Sequence, residues 1–358
     1  MRSDLLKDMD RIVVKVGTGV LTDAQKRLDT KRMQALVAQL ARLQQAGKEV
    51  VLVTSGAVGA GMGVLGFDKR PTEVAEQQAC AAVGQSRLMA MYESLFAPFG
   101  IHVAQVLLTH EDLEHKERHL NARNTLVTLL SHGVIPIINE NDAVSFTELK
   151  FGDNDKLSAL VASLMPADLL VILTTVDGVI ENFGKANARL LATVEKIDAA
   201  VEAEASGTTA VTAVGGMKSK MQAAKIATRS GIPIIIASGL AGDSLDRILL
   251  HEEVGTLFVP EARKLRSRKR WIAFFHKPKG TLVVDDGAKK AIRESGKSLL
   301  PPGIARCEGE FEAGEVVKIC DLNGTEFARG IADYDSDFIQ AGSAKRVEIV
   351  HRDNLVIL

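Results

Sequence analysis

Along the first 260 positions, apolar residues come in short unbroken runs separated by longer stretches in which they recur every three or four residues. The short runs are RIVVKV (11–16), EVVLVT (49–54), HVAQVLL (102–108), VIPIIN (134–139), LLVILTT (169–175) and IPIIIA (232–237). They are rich in β-branched residues and scarcely alternate with polar ones, as expected of strands buried on both faces. The longer stretches, around 31–46, 73–97, 111–131, 155–164 and 217–230, carry a helical period. Strand and helix in alternation predict a parallel sheet covered by helices on both sides, and ligands of such sheets sit at the carboxyl ends of the strands. After about residue 260 the pattern changes. GTLVVDDGAKKAI, RCEGEFEAGEVVKICDL and TEFARGIADYDS read as short strands separated by Gly, Asp-Gly and Asn-Gly turns, which predicts a small, mostly β domain.

Composition places the boundary in the same region. A chain of 358 residues is long enough for roughly two domains, and 46% hydrophobic with 25% charged residues excludes a disordered or fibrous protein. Residues 1–260 hold eight aromatic side chains, whereas 261–358 hold seven. Net charge moves from -4 to +3 across the same point, and six of the eight residues from Arg263 to Arg270 are cationic. The expected organisation is therefore a ligand-binding α/β domain over 1–260, a basic linker over 261–276 and a small β domain over 277–358.

Whole-chain chemistry removes several function classes. A formal net charge of -1 excludes a globally basic nucleic-acid-binding protein. Cys80, Cys307 and Cys320 are odd in number and lack CxxC spacing, which argues against a disulfide framework or a zinc site. The charged start MRSDLLKDMD, and apolar runs well short of the roughly 20 residues of a membrane span, predict a cytoplasmic protein without a membrane segment.

Three glycine-bearing loops follow predicted strands or open a helix. They are Lys15-Val16-Gly17-Thr18-Gly19; Thr54-Ser55-Gly56-Ala57 with Gly59, Gly61 and Gly63; and Gly215-Gly216-Met217-Lys218-Ser219-Lys220. Glycines let backbone N–H groups approach a phosphate closely, and a helix start adds favourable potential. Any one such loop could equally be a tight strand-to-helix turn. Lys218 and Lys220 are notable because cations are disfavoured at a helix N-terminus, a conflict an anion relieves. Gly61-x-Gly63-x-x-Gly66 has the letters of a dinucleotide fingerprint but lies beyond the strand end, and Gly296-Lys297-Ser298 has Ala291 where a P-loop needs glycine.

The fourth strand ends in Asn139-Glu140-Asn141-Asp142, and Gly152-Asp153-Asn154-Asp155 precedes a helix. Together they concentrate acceptors for an ammonium and donors for a carboxylate, which an amino-acid substrate requires. Leu157 and Ser158 stand where a calcium loop needs a ligand and a glycine, and Asp153 or Asn154 could also serve as a helix cap. His110 and His115 are spaced one residue too far apart for HExxH, and His115 with His119 belongs to a charged run, so no histidine is assigned to a metal. Lysine loops, glycine turns and an acid-amide cluster, without a Ser-His-Asp or Cys-His set, suit phosphoryl transfer, which needs positioning and neutralisation of negative charge. A carboxylate acceptor is already ionised at pH 7 and needs no general base.

Taken in order, VVKVGTGVLT, VTSGAVGAG, AAVGQSRL, NARNTL, IPIINENDAV, FGDNDKLSALVA and GGMKSKMQAA resemble the amino-acid kinase family. NEND followed by GDND resembles its glutamate-phosphorylating members, and GTLVVDDGA through GIADYDS, with HRDN, resembles the PUA domain at their C-terminus. Acetylglutamate kinase, aspartokinase and UMP kinase share the fold but are not expected to end this way. The resemblance implies an α/β parallel-sheet sandwich followed by a small, mostly-β PUA-like domain. It implies ATP-dependent phosphorylation of the γ-carboxylate of L-glutamate, the first step of proline biosynthesis.

Residue by residue, the resemblance implies that Lys15 and Lys220 flank the transferring phosphoryl group while Asp155 orients both lysines. Ser55, Asp142 and Asn154 would hold glutamate. Thr174, Thr175, Val214, Gly215, Gly216, Met217, Lys218, Ser219 and Lys220, with Lys15, would lie on ATP. Mg²⁺ would bridge the ATP phosphates, with no tightly bound metal held by protein ligands. A homo-oligomer and proline as a feedback ligand are also implied. RNA is a further partner compatible with a PUA domain and the Arg263 to Arg270 stretch, although a net charge of +3 disfavours it. The chain departs from the family at Thr175, where aspartate is common, at Val214, where threonine is common, and in GVIENFG, which lacks a frequent tyrosine. These departures fall on the nucleotide side.

Overall fold

The computed structural model describes residues 2–23, 27–145, 154–206, 216–261, 265, 267–342 and 347–358. The chain divides into two compact units, Met1–Lys264 and Leu265–Leu358.

The first unit is built on β1 (Arg11–Val16), β2 (Glu49–Val53), β3 (Val103–Leu108), β4 (Ile135–Glu140) and β5 (Leu169–Thr174). A two-stranded ribbon of β6 (Ile180–Glu181) and β7 (Arg189–Leu190) follows, then β8 (Thr193–Val194), β9 (Ile234–Ser238) and β10 (Thr256–Phe258). The main sheet has the order β3-β4-β2-β1-β5-β9-β10-β8. The six strands expected from the apolar runs are all parallel to one another, and β10 runs antiparallel to β9. β8 and β10 have two and three residues, too short to leave a periodic signature.

Burial explains the unbroken runs. In β1, Ile12 and Val14 join a cluster with Leu52, Ile137, Val171 and Ile235, against which Leu40, Leu88 and Phe96 of helices Thr30–Gln45 and Val74–Phe96 pack. The alternate residues Val13, Val51 and Leu170 are equally buried, and helix Asp155–Leu164 contacts β1 and β5 while packing along helix Met217–Arg229. Each fully buried aliphatic side chain contributes about 1.5–3 kcal/mol, so both faces must stay apolar and the alternation that would mark a half-exposed strand is lost.

Gly59, Gly61 and Gly63, read from the sequence as part of a phosphate loop, lie instead within helix Ala57–Leu65. A Cβ at Gly61 would overlap the Cys80 carbonyl, and one at Gly84 would overlap the Ala57 carbonyl. These two close approaches bring helices Ala57–Leu65 and Val74–Phe96 into backbone contact. Only Gly56, with φ 105, makes the turn after β2.

The second unit contains β11 (Gly280–Val284), β12 (Ile304–Glu308), β13 (Val316–Cys320), β14 (Glu326–Ile331) and β15 (Leu355–Ile357), ordered β12-β11-β13-β14-β15. The Asp-Gly after β11, which the sequence suggests is a turn between strands, opens helix Asp286–Ser295 instead, because the Asp285 side chain accepts the Ala288 N–H and caps the helix. Within the expected basic linker, Ser267–Arg270 is helical and Trp271–Phe275 continues it as a π turn, with Ile272 and Ala273 buried against Val316 and Val356.

Candidate active site

From β1 the chain moves through helix Thr30–Gln45 to β2 on one side, and later crosses back to place β5 on the other side. The carboxyl ends of β1 and β5 therefore flank a topological switch point, where open α/β sheets bind ligands. The loops there are joined: Gly17 N–H donates to the Leu173 carbonyl at 3.0 Å, and Gly239 N–H donates to the Thr174 carbonyl at 2.8 Å.

Lys15 lies near the end of β1, and Lys220 lies in the first turn of helix Met217–Arg229. Both are buried, at 0% and 5% exposure, and both meet Asp155, itself at 0%, at the start of its helix. Lys15 Nζ is 2.6 Å from Asp155 Oδ1, Lys220 Nζ donates to Oδ2 at 3.0 Å, and Ser219 Oγ donates to Oδ2 at 2.7 Å. Two ammoniums thus converge on one carboxylate in a water-poor position. Such a site strongly favours an anion.

Asn154 sets the position of Asp155. It adopts the left-handed conformation, φ 65, which asparagine tolerates better than most residues. Its Nδ2 donates to the Thr54 carbonyl at 2.7 Å, Ser55 Oγ at 3.1 Å and Asn139 Oδ1 at 2.8 Å. Three acceptors share two protons, so the amide is held between the ends of β2 and β4. Asn139 Nδ2 in turn donates to Gln85 Oε1 at 2.9 Å, and Thr54 Oγ1 is 2.8 Å from the Tyr92 hydroxyl. Tyr92 is fully buried, and burial pushes its phenol well above the ordinary range.

The structure thus gathers Lys15, Asp155, Ser219 and Lys220 around one carboxylate and joins Asn154 to Ser55. Asp142 lies to one side, half-buried in a cleft of ≈ 140 Å³ shared with Gln105, Glu140 and Asn141. Thr174 ends β5, and the exposed Thr175 lies against Gly19, where a Cβ would sit 2.7 Å from its Cγ2. Gly216 starts its helix with no side-chain cap, and Met217 is buried. The two first-turn lysines differ: Lys220 turns inward to Asp155, whereas Lys218 is exposed. Val214 and Gly215 lie outside the described residues, as do Gly152 and Asp153. Among the described residues, no group of three or more His, Cys, Asp and Glu is placed to hold a metal ion.

The sequence assigns no individual role to Gln85 or Tyr92, and Thr54 and Asn139 enter its reading only as members of the second glycine loop and of the Asn139–Asp142 cluster. Gln85 and Tyr92 are buried inside an amphipathic helix, and their one signal is a polar tip recurring after seven residues on its apolar face.

Comparison with known proteins identifies the family. Residues 10–238 match the amino acid kinase family and residues 280–352 match the PUA domain. The glutamate 5-kinase of Geobacter sulfurreducens is 48% identical over the full length of both chains. That of Pseudomonas entomophila is 47% identical over 97% of this chain and 98% of its own. Among solved structures, carbamate kinase from Giardia lamblia bound to AMP-PNP shares the fold with a TM-score of 0.52 at 20% identity, covering 71% of this chain and 99% of its own. With both matched regions and full-length relatives in agreement, the chain belongs to the amino acid kinase family and, within it, to the glutamate 5-kinases.

Proposed function

We propose that the chain transfers the γ-phosphoryl group of ATP to the γ-carboxylate of L-glutamate, giving L-glutamyl 5-phosphate and ADP as the first step of proline biosynthesis. The observation that carries the mechanism is the buried Lys15–Asp155–Lys220 bridge at the switch point. A glutamate γ-carboxylate oxygen forms a bond to the γ-phosphorus, the bond from phosphorus to the β,γ-bridging oxygen breaks, and ADP leaves with that electron pair. No proton moves, because the acceptor is already ionised. Negative charge spreads over the transferring oxygens and the leaving group, where Lys15 and Lys220 act. Each ammonium carries three donors, so it can hold Asp155 and a phosphate oxygen together. Asp155 therefore orients the lysines and limits their mutual repulsion.

Ser55, Asn154 and the cleft bearing Asp142 form the glutamate side of this proposal, with the Asp142 carboxylate and the Asn154 amide oxygen for the α-ammonium and the Ser55 hydroxyl as a donor for a carboxylate. Thr174, Thr175 and the start of helix Met217–Arg229 form the nucleotide side. Mg²⁺ would arrive as part of the MgATP substrate and would help neutralise the phosphate charge. That arrangement suits a site in which lysines engage both Asp155 oxygens. A homo-oligomer, proline as a feedback ligand and a cytoplasmic location belong to the same proposal. No described helix is long and apolar enough to cross a membrane.

Incubation with MgATP, L-glutamate and hydroxylamine tests the reaction, because an acyl phosphate is trapped as its hydroxamate. The expected product is glutamyl hydroxamate formed in step with ADP. Product from N-acetylglutamate or aspartate, and none from glutamate, would overturn the substrate assignment.

A further inference from the structure

The Asp155 bridge depends on a strained turn, and that turn is gripped from one direction. Asn154 holds its left-handed conformation through acceptors at two strand ends, Thr54 after β2 and Asn139 in β4. Both acceptors are fixed by the same helix, Val74–Phe96: Gln85 accepts the Asn139 amide, and Tyr92 meets the Thr54 hydroxyl. Gln85 and Tyr92 are seven residues apart, two helical turns, and so lie on one face. Gly84, whose Cβ would overlap the Ala57 carbonyl, lets that face approach the loop after β2.

We infer that Gln85 is a positioning residue for phosphoryl transfer: by accepting from Asn139 it holds that amide in place, and with it Asn154 and Asp155. This inference rests on the kinase reading above. The hydrogen bonds have a direction. Asn139 Oδ1 receives both Asn154 Nδ2, at 2.8 Å, and Glu140 N–H, at 3.0 Å, so Asn139 Nδ2 must point the other way and needs an acceptor. Gln85 Oε1 supplies it at 2.9 Å, with its own Nε2 directed to Gln105 Oε1 at 3.4 Å. Asn139 is 2% exposed and Gln85 7%, the latter at the edge of the cleft that bears Asp142. Without Gln85 the Asn139 Nδ2 loses its acceptor, while Oδ1 still holds two donors and keeps the amide from turning over. A buried NH₂ group left unpaired destabilises this arrangement of Asn139, and with it the hold on Asn154 and the turn that carries Asp155.

The test separates acceptance from bulk. Gln85→Met keeps length and burial but offers no oxygen; Gln85→Glu keeps the acceptor. In the hydroxamate assay with the full chain, Gln85→Met is expected to lower kcat about tenfold or more with KM for MgATP within about twofold, because nucleotide contacts are untouched. Gln85→Glu is expected to recover kcat to within about threefold of the parent, whatever its KM for glutamate. Parental kcat in Gln85→Met, or an equal loss in both variants, overturns the inference. If Gln85→Met fails to fold, Tyr92→Phe decides between the outcomes. It removes one oxygen from the other end of the grip, with a kcat loss of about threefold or more expected and an unchanged kcat counting against it. Failure of the kinase reading is distinguishable, since the parent chain would then form no hydroxamate.

Discussion

Replacing Asp155 by Asn removes a charge while keeping the shape of the side chain, and the structure sets the size of the consequence. Lys15 and Lys220 lie 2.6 and 3.0 Å from the two carboxylate oxygens, with all three groups buried. Removing one member of a buried ionic group costs about 3–5 kcal/mol, because the remaining charges lose compensation. The low end applies here, since asparagine still offers one acceptor oxygen. At roughly 2–4 °C per kcal/mol for a domain of this size, about 3 kcal/mol lowers the first thermal transition by about 6–12 °C. Saturating MgATP should narrow the gap, because phosphate oxygens supply the negative charge that asparagine lacks. Activity should fall by at least about 10²-fold in kcat, the scale of losing a preorganised electrostatic element. Calorimetry with and without MgATP, combined with hydroxamate kinetics, measures both. An Asp155→Asn protein as stable as the parent without nucleotide, and with parental kcat, would show that the bridge neither holds the lysines nor serves transfer.

Three further outcomes follow from other parts of the molecule. Lys220→Ala should lower kcat and kcat/KM alike by at least about 10²-fold if its charge acts mainly in the transition state, and steady-state kinetics with glutamate would show an unchanged rate if it does not. Gly84→Ala should destabilise the first unit by about 1–3 kcal/mol or more, because a methyl there meets the Ala57 carbonyl; a melting temperature equal to the parent's would contradict the backbone contact. In the second unit, the Lys289 ammonium and then the Thr325 N–H hold the Asp321 carboxyl below its usual 3.8. A carboxyl depressed in the folded state gives stability that is present above the ordinary value and lost as pH falls through the folded one. Unfolding followed downward from about pH 4 should therefore show a steeper loss for the parent than for Asp321→Asn.

The strands were legible because a sheet covered on both faces leaves no room for polar alternation, so RIVVKV and LLVILT could hardly read otherwise. Glycines misled where they served two purposes. Gly56 makes the expected turn, yet Gly61 a few residues on exists for helix contact, and a sequence does not show whether a missing Cβ leaves space for a phosphate or for another backbone. Lysines in the Gly216 loop were recognisable as a pair but not as opposites; only the helix phase turns Lys220 inward and leaves Lys218 exposed. Gln85 and Tyr92 were invisible as site residues because their partners are 54 and 38 positions away in the chain.

The bridge at the switch point also accounts for where chain order and chemistry meet. Lys15, Asp155 and Lys220 come from widely separated stretches, yet each stands at the end or start of an element that the sheet forces to the same edge. A carboxylate shared by two lysines makes the pair less repulsive than two bare ammoniums in a buried site, while their remaining donors can still meet phosphate oxygens. The arrangement therefore brings both ammoniums to the place where a transferring phosphoryl group would sit. That is why nucleotide should stabilise the chain strongly, and why a change at Asp155 should register in stability before ATP arrives and in rate once it is bound.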